Sequence, residues 1–309
     1  MSSIPVHRSG FVAVVGRPNV GKSTLLNALL GQKIAGVSPW PQTTRRRQMG
    51  ILTLPSAQIM FLDTPGWHIP KNGLGKAMVR SSETTIADAD AVLFLADLSQ
   101  TASEEDRELA LWLKKHKSGA PVLVVLNKAD AVSAADREER TAQYRGLLPE
   151  SEYCAISARQ NQGLQELLDK IIARLPEGPI LYPEEEITDL SEREITADLI
   201  RESALRNLRA EVPHGVAVRV DQYQERGEKG AYIEATIFVE KESHKAIVIG
   251  KGGAMLKRIG SDARRKIEDM SGRKLYLQLR VKVLPGWRNR EDALQRLGYI
   301  PKENKNPNR

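Results

Sequence analysis

The chain has 309 residues, 41% of them hydrophobic and 28% charged, with a formal net charge of +7. That length supports about two domains with real apolar cores, and no apolar stretch approaches the ~20 residues needed to cross a membrane as a helix. The single cysteine, Cys154, excludes an internal disulfide framework, and the five scattered histidines show no metal-ligand spacing. The segment Met1 to Gly10 carries neither an apolar signal core nor an Arg-rich presequence, so the expected location is the cytosol.

An apolar run, Phe11 to Val15, leads into Gly16-Arg17-Pro18-Asn19-Val20-Gly21-Lys22-Ser23, and a helix-like run, Thr24 to Leu30, follows. Strand, glycines, Lys-Ser and helix start in this order describe a phosphate-cradling loop. Glycines let successive backbone N–H groups face phosphate oxygens, and the helix N-terminus adds partial positive charge. Lys22 would reach the β- and γ-phosphates, and the Ser23 hydroxyl would ligate Mg²⁺. After a strand expected over Gln48 to Thr53, a second apolar run, Ile59 to Leu62, ends in Asp63-Thr64-Pro65-Gly66. An acid there can hold the water shell of Mg²⁺, and the N–H of Gly66 can turn toward a γ-phosphate.

Further strands are expected over Ala91 to Ala96, Val122 to Leu126 and Tyr153 to Ile156, with helices over Ala102 to Lys115, Ala134 to Leu147 and Leu164 to Leu175. Asn127-Lys128-Ala129-Asp130 follows the third apolar run. Asp130 can accept hydrogen bonds from guanine N1–H and its 2-amino group. Adenine offers neither, and a site built for such donors rejects analogues lacking them by roughly 10⁴ or more. Ser157-Ala158 fits the loop behind the base. Strands alternating with helices from 11 to 174 specify an α/β domain, a mostly parallel sheet with helices on both faces. These four elements in this order resemble a translation-factor-type GTPase domain over about residues 8–176.

Pro176, Gly178, Pro179 and Pro183 then break the pattern, so residues 177–194 read as a linker. Beyond it charge is uneven. Residues 179–240 hold 7 Lys+Arg against 14 Asp+Glu, a net −7, whereas 241–290 hold 14 against 4, a net +10. Such a basic region is either a solvated face or an electrostatic footprint for a polyanion. Within it, Val248-Ile249 precedes Gly250-Lys251-Gly252-Gly253, and Leu256, Lys257 and Ile259 follow at helical spacing. Expected elements are a helix over Ile195 to Glu211, strands over Val216 to Gln224 and Ala231 to Glu240, helices over Ser243 to Ile249 and Ala254 to Met270, and a strand over Lys274 to Val283. This order resembles a type II KH domain, a smaller α+β module over 195–286 whose GXXG loop clamps single-stranded nucleic acid. Tyr223 and Tyr232 either stack on bases or belong to an alternating sheet. Residues 287–309 form a C-terminal segment and a polar tail, expected to be disordered from Pro301.

The pairing of these two modules resembles the Era family of bacterial ribosome-assembly GTPases. Gly16 to Asn27 matches its phosphate loop, Gln42-Thr43-Thr44-Arg45 its first switch, Leu284-Pro285-Gly286-Trp287 the end of its KH domain, and Leu294 to Tyr299 its C-terminal segment. The resemblance implies GTP-controlled binding of the 3′ end of 16S rRNA by the KH domain and assistance to 30S subunit assembly. It also implies loose association with the inner membrane; the chain is expected to act as a monomer. A reading from another class is an RNA chaperone in which GTP is mainly structural. Mg²⁺ would be held by Ser23, Asp63 and a first-switch threonine, Thr43 or Thr44, with Thr44 preferred. Lys22, Thr44, Gly66 and Asn19 would carry hydrolysis. Trp67 stands where Ras-like enzymes place a water-orienting glutamine, and asparagine at position 19 implies a K⁺ ion that supplies part of the missing charge. Trp40 and Trp67 are either partner contacts or packed anchors, and Arg45, Arg46 and Arg47 either steer RNA or lie exposed.

Overall fold

The computed structural model describes residues 7–32, 44–116, 119–227 and 230–301. The chain divides into two compact units, one formed mainly by residues up to Asp189 and the other mainly by those from Leu190 onward. In the first, strands β1 (Arg8–Val15), β2 (Gln48–Leu54), β3 (Ala57–Asp63), β4 (Ala91–Asp97), β5 (Val122–Asn127) and β6 (Glu152–Ala155) form one sheet, ordered β2-β3-β1-β4-β5-β6. All neighbours are parallel except the β2–β3 hairpin. The interleaved helices are α1 (Lys22–Leu30), α2 (Gly73–Ala87), α3 (Glu104–Lys115), α4 (Ala134–Leu147) and α5 (Leu164–Ile172).

Period-two alternation explains the layers. Val12 and Val14 of β1 join Leu25, Leu26, Leu167 and Ile171 in a core under α1 and α5. Ala13 and Val15 face the other way, into a core with Ile86, Leu109, Leu113 and Tyr144 under α2, α3 and α4. Cys154 is buried in the first of these cores and unpaired. Parallel strands point their C-terminal ends at one edge, and the loops that follow β1, β3, β5 and β6 gather there; in open α/β sheets this edge is where ligands bind.

Helix α2 escapes the sequence reading: its buried positions, Leu74, Met78, Ser82 and Ile86, follow helical spacing but are partly filled by a serine. Residues 177–194, read as a linker, lie against the first unit over much of their length. Ile51 N–H donates to Ile187 O at 2.9 Å, and Gln58 Nε2 donates to Tyr182 O at 2.8 Å. Helix α6 (Glu192–Asn207) begins within that stretch, three residues before the expected start. The cause is a capping box: Ser191 Oγ accepts from Glu194 N–H, and the Glu194 carboxylate accepts from Ser191 N–H,.

The second unit continues with β7 (Ala217–Glu225), β8 (Ala231–Val239), α7 (Glu242–Ile249), α8 (Ala254–Ser271), β9 (Leu275–Val283) and a short α9 (Glu291–Arg296). Its sheet has the order β7-β8-β9, antiparallel then parallel. Ile233, Ala235, Ile237 and Val239 of β8 pack on Ile200 and Ala204 of α6 and Ile259, Ala263 and Ile267 of α8. Lys266 of α8 is buried and pairs with Glu202 of α6 at 3.3 Å, with Ser203 Oγ accepting at 2.9 Å. This helix–strand–strand–helix–helix–strand order is the type II KH arrangement expected from the sequence. No described helix is long and apolar enough to cross a membrane.

Candidate functional site

The loop between β1 and α1 folds around its own lysine. Lys22 is buried, and its Nζ donates to Gly16 O at 2.9 Å and Arg17 O at 3.0 Å. Gly21 has φ +103, and an added Cβ would lie 2.4 Å from Asn127 Nδ2, so no other residue fits there. Val20 is fully buried beneath the loop, Pro18 is half-buried, and Asn19 is exposed with a left-handed φ of 64°. Ser23 and Thr24 occupy the first turn of α1, half-buried.

Three oxygens meet beside this loop. Ser23 Oγ lies 3.0 Å from Thr44 Oγ1 and donates to Asp63 Oδ2 at 3.1 Å, and Thr44 Oγ1 donates to the same carboxylate oxygen at 3.3 Å. Asp63 Oδ1 is buried without a hydrogen-bond partner. Burial pushes the Asp63 carboxyl up to about 6 against the pull of Lys22, Ser23 and Thr44. It also pushes the Lys22 ammonium down to about 8, although Asp63 opposes this. An orphaned carboxylate oxygen flanked by two hydroxyls fits a hard divalent cation such as Mg²⁺, which takes one or two carboxylates and completes its shell with water and phosphate. Thr43, the other threonine candidate, and Trp40 and Gln42 lie outside the described residues.

After Asp63 the chain is pinned. Thr64 is buried and donates from Oγ1 to Val14 O at 2.9 Å, and Pro65 O accepts from Ser82 Oγ at 3.1 Å. Gly66 passes so close to Pro18 that an added Cβ would meet Pro18 N at 2.9 Å. Trp67 N–H donates to Gly16 O at 3.0 Å. Its indole is buried against Trp112, ring centroids 5.4 Å apart, so it is a packed anchor. Of the three arginines after Thr44, Arg45 is buried, Arg46 half-buried and only Arg47 exposed.

The base-side loops are held by one amide. Asn127 Nδ2 donates to Val20 O at 2.9 Å, while its Oδ1 accepts from Ala158 N–H at 3.0 Å. Ser157 is buried, its Oγ accepting from Gln160 N–H at 3.2 Å. Lys128 adopts a left-handed φ of 65°, which carries Asp130 out to solvent, 3.5 Å from Gln160 Nε2.

The sequence gives no hint of the next partner, Asp97 at the end of β4. Its buried Oδ2 lies 2.7 Å from Lys128 Nζ and 3.7 Å from Arg17 Nη2, and Ser99 N–H donates to Oδ1 at 3.0 Å. Arg17 also reaches Asp106 at 3.3 Å. One carboxylate thus positions a residue of the phosphate loop and a residue of the base loop. A lone Asp after an apolar run carries no signal of this, because both partners are distant in sequence.

In the second unit, Gly250 to Gly253 turns between α7 and α8 with φ of 72°, 59° and 80° at its three glycines. Beside it a groove of about 380 Å³ runs between α8 and β9, lined by Gly253, Leu256, Lys257, Gly260, Arg264 and Tyr276, among others. Lys251 is exposed on the loop.

Burial alone would raise the Asp97 carboxyl; hydrogen bonds from Lys128 and Ser99, with the charge of Lys128, outweigh it and hold the group below the usual range. A depressed folded value stabilises the fold above the unfolded value near 4 and loses that stabilisation as pH falls through the folded value. Asp97→Asn should therefore cost about 2 kcal/mol at pH 7. In thermal melts its deficit against the wild type should shrink below about pH 4; a deficit constant through that range would contradict the assignment.

Residues 11–128 match a family model described as 50S ribosome-binding GTPase, and residues 211–288 match one described as KH domain. GTPase Era of Heliobacterium modesticaldum is 44% identical over 295 residues, covering 96% of this chain and 98% of its own length. GTPase Era of Caldicellulosiruptor saccharolyticus is 48% identical over 297 residues, covering 96% and 99%. Among solved structures, Era in complex with MgGDPNP and nucleotides 1506–1542 of 16S ribosomal RNA superposes with a TM-score of 0.90 at 40% identity, covering 95% of this chain and 99% of that one. A variant of Aquifex aeolicus Era bound to GDP and AlF4− gives 0.89 at 40% identity. With identity at this level along nearly its whole length and both modules matched, the chain belongs to the Era family of GTPases and is a GTP hydrolase.

Proposed function

We propose that this GTPase is a nucleotide-gated switch whose KH groove binds the 3′ region of 16S rRNA during assembly of the 30S subunit. The observation that carries this reading is the GXXG loop, its three glycines at positive φ, opening onto a groove bordered by Lys257 and Arg264. Phosphates can approach the main chain there, with cations beside them. The similar structure in complex with MgGDPNP and nucleotides 1506–1542 of 16S ribosomal RNA supports the choice of ligand. The basic surface that meets RNA also suits loose contact with anionic lipid at the inner membrane, and the chain acts as a cytoplasmic monomer.

In the nucleotide site, the N–H groups of the loop from Gly16 to Thr24, Pro18 excepted, cradle the phosphates and Lys22 neutralises the β- and γ-oxygens. Ser23, Thr44 and Asp63 would hold Mg²⁺, which would offset charge developing on the phosphates. Thr64 and Pro65 fix the turn from which the Gly66 N–H reaches the γ-phosphate. Asp130 reads guanine, Lys128 and Asn127 hold the loop that carries it, and Ser157 and Ala158 close the pocket behind. With Trp67 packed away, hydrolysis lacks a side chain that orients water and runs slowly unless a further cation assists. Asn19 would hold a K⁺ ion, which would supply that charge.

Binding of an RNA spanning nucleotides 1506–1542 should differ between GDP and a non-hydrolysable GTP analogue and exceed that of a scrambled RNA at fixed salt. Equal binding of both RNAs in every state would refute the gated switch. Asp130→Asn should weaken GDP binding by about 100-fold or more, since two hydrogen bonds to a charged acceptor are lost, and should favour xanthine nucleotides; unchanged GDP affinity would remove Asp130 from base recognition. Hydrolysis in KCl should exceed that in NaCl by about tenfold or more, as for other preorganised charges in a transition state. Equal rates in the two salts would eliminate the K⁺ site at Asn19.

A further inference from the structure

We propose that Tyr276, stacked on Tyr232, is a platform for one unpaired RNA base at the rim of the KH groove. This inference rests on reading that groove as the RNA site. Strand β9 alternates: Leu275, Leu277 and Leu279 pack on the core, and Tyr276 projects from the opposite face,. In the parallel register Tyr276 sits directly beside Tyr232 of β8. Their rings stack with centroids 5.6 Å apart and planes 6° from parallel.

The lower ring is fixed from several sides. The Tyr232 hydroxyl donates toward Glu234 and lies 2.9 Å from Gln278 Oε1, and the Arg226 guanidinium stands 5.0 Å from its ring centroid. Tyr276 itself is 64% exposed, and no other aromatic ranks among the exposed large hydrophobics of the described residues. A ring stacked on one face yet this exposed leaves its second face to solvent.

The ring also belongs to the groove. Tyr276 lines the same cavity as Gly253 of the loop and as Lys257 and Arg264 of α8. Neither cation has an ion-pair partner among the described residues. A strand whose phosphates run past Gly253 and Lys257 would bring a base within reach of the rim. Every base has a π-face, so stacking there is tolerant of sequence and would set register and affinity. A tyrosine already stacked loses little conformational entropy when a base joins it.

The test uses the full chain and an RNA spanning nucleotides 1506–1542 of 16S rRNA, with 2-aminopurine placed in turn at its single-stranded positions. In the wild type, binding should quench the probe strongly at one position. Tyr276→Leu should abolish that quench and weaken binding about tenfold, the scale of one lost base–aromatic stack, while its melting temperature stays at the wild-type value. Tyr276→Phe should retain both quench and affinity, because the hydroxyl plays no part. If Tyr276→Leu binds and quenches like the wild type, the platform is overturned and the RNA groove stands. If the wild type prefers this RNA no more than a scrambled one, the groove reading fails and the platform with it.

Discussion

One side-chain amide holds the nucleotide site together. Asn127 donates to the carbonyl of Val20 in the phosphate loop and accepts from the N–H of Ala158 behind the base. Three loops, from the ends of β1, β5 and β6, are therefore spaced by a single planar group. The arrangement works only because Gly21 brings no Cβ into the 2.4 Å gap beside Asn127 Nδ2. Geometry at the phosphates and geometry at the base cannot drift independently under this constraint, and misplacement by an ångström is enough to cost a large part of catalysis. Asp97 adds a second tie by engaging Arg17 and Lys128 from below.

The phosphate loop, Asp63, the guanine-reading stretch and the GXXG loop are legible in the sequence because each is a local chemical necessity. Glycine, lysine and hydroxyl must occupy fixed spacings for a backbone to wrap a phosphate, and such spacings survive without knowledge of the fold. The two tyrosines weighed from the sequence behave differently: Tyr223 gives its hydroxyl to Glu192, whereas Tyr232 forms the half-buried member of a stack. Tyr276, Asp97 and the course of residues 178–188 were not legible. Each acquires its setting from a partner on another strand or helix, and a single chain carries no mark of such pairings. Helix α2 was hidden for a different reason: its buried stripe, Leu74, Met78, Ser82 and Ile86, recurs at helical spacing but includes a serine, so few of its members are apolar,.

The uneven charge of the KH unit also takes on meaning once partners are known. Several of its cations are engaged internally: Arg273 with Glu192, Lys266 with Glu202, Arg280 with Glu234 and Arg288 with Glu240. Four acids of the acidic stretch that ends at Glu240 therefore engage four cations of the basic stretch after it. What remains outside these pairs includes Lys251, Lys257 and Arg264, clustered at the loop and its groove. A net charge of +10 over 241–290 thus resolves into a structural share and a share that includes cations placed where a phosphate backbone would run.

The same distinction applies to the buried pair in the nucleotide site. Lys22 and Asp63 are both drawn toward their neutral forms by burial, to about 8 and about 6. A phosphate beside the ammonium and a cation beside the carboxylate reverse both tendencies, since each meets an opposite charge in a medium of low dielectric. Neither residue is stabilised by the other enough to stand alone. Binding of nucleotide with its metal would therefore stabilise the first unit, by an amount that grows with the logarithm of ligand concentration over the dissociation constant. In the proposed site, loss of the γ-phosphate would remove one of those compensating charges and leave Lys22, Thr44 and Gly66 short of their common partner. An equilibrium biased by that single group is the physical content of a GTP switch.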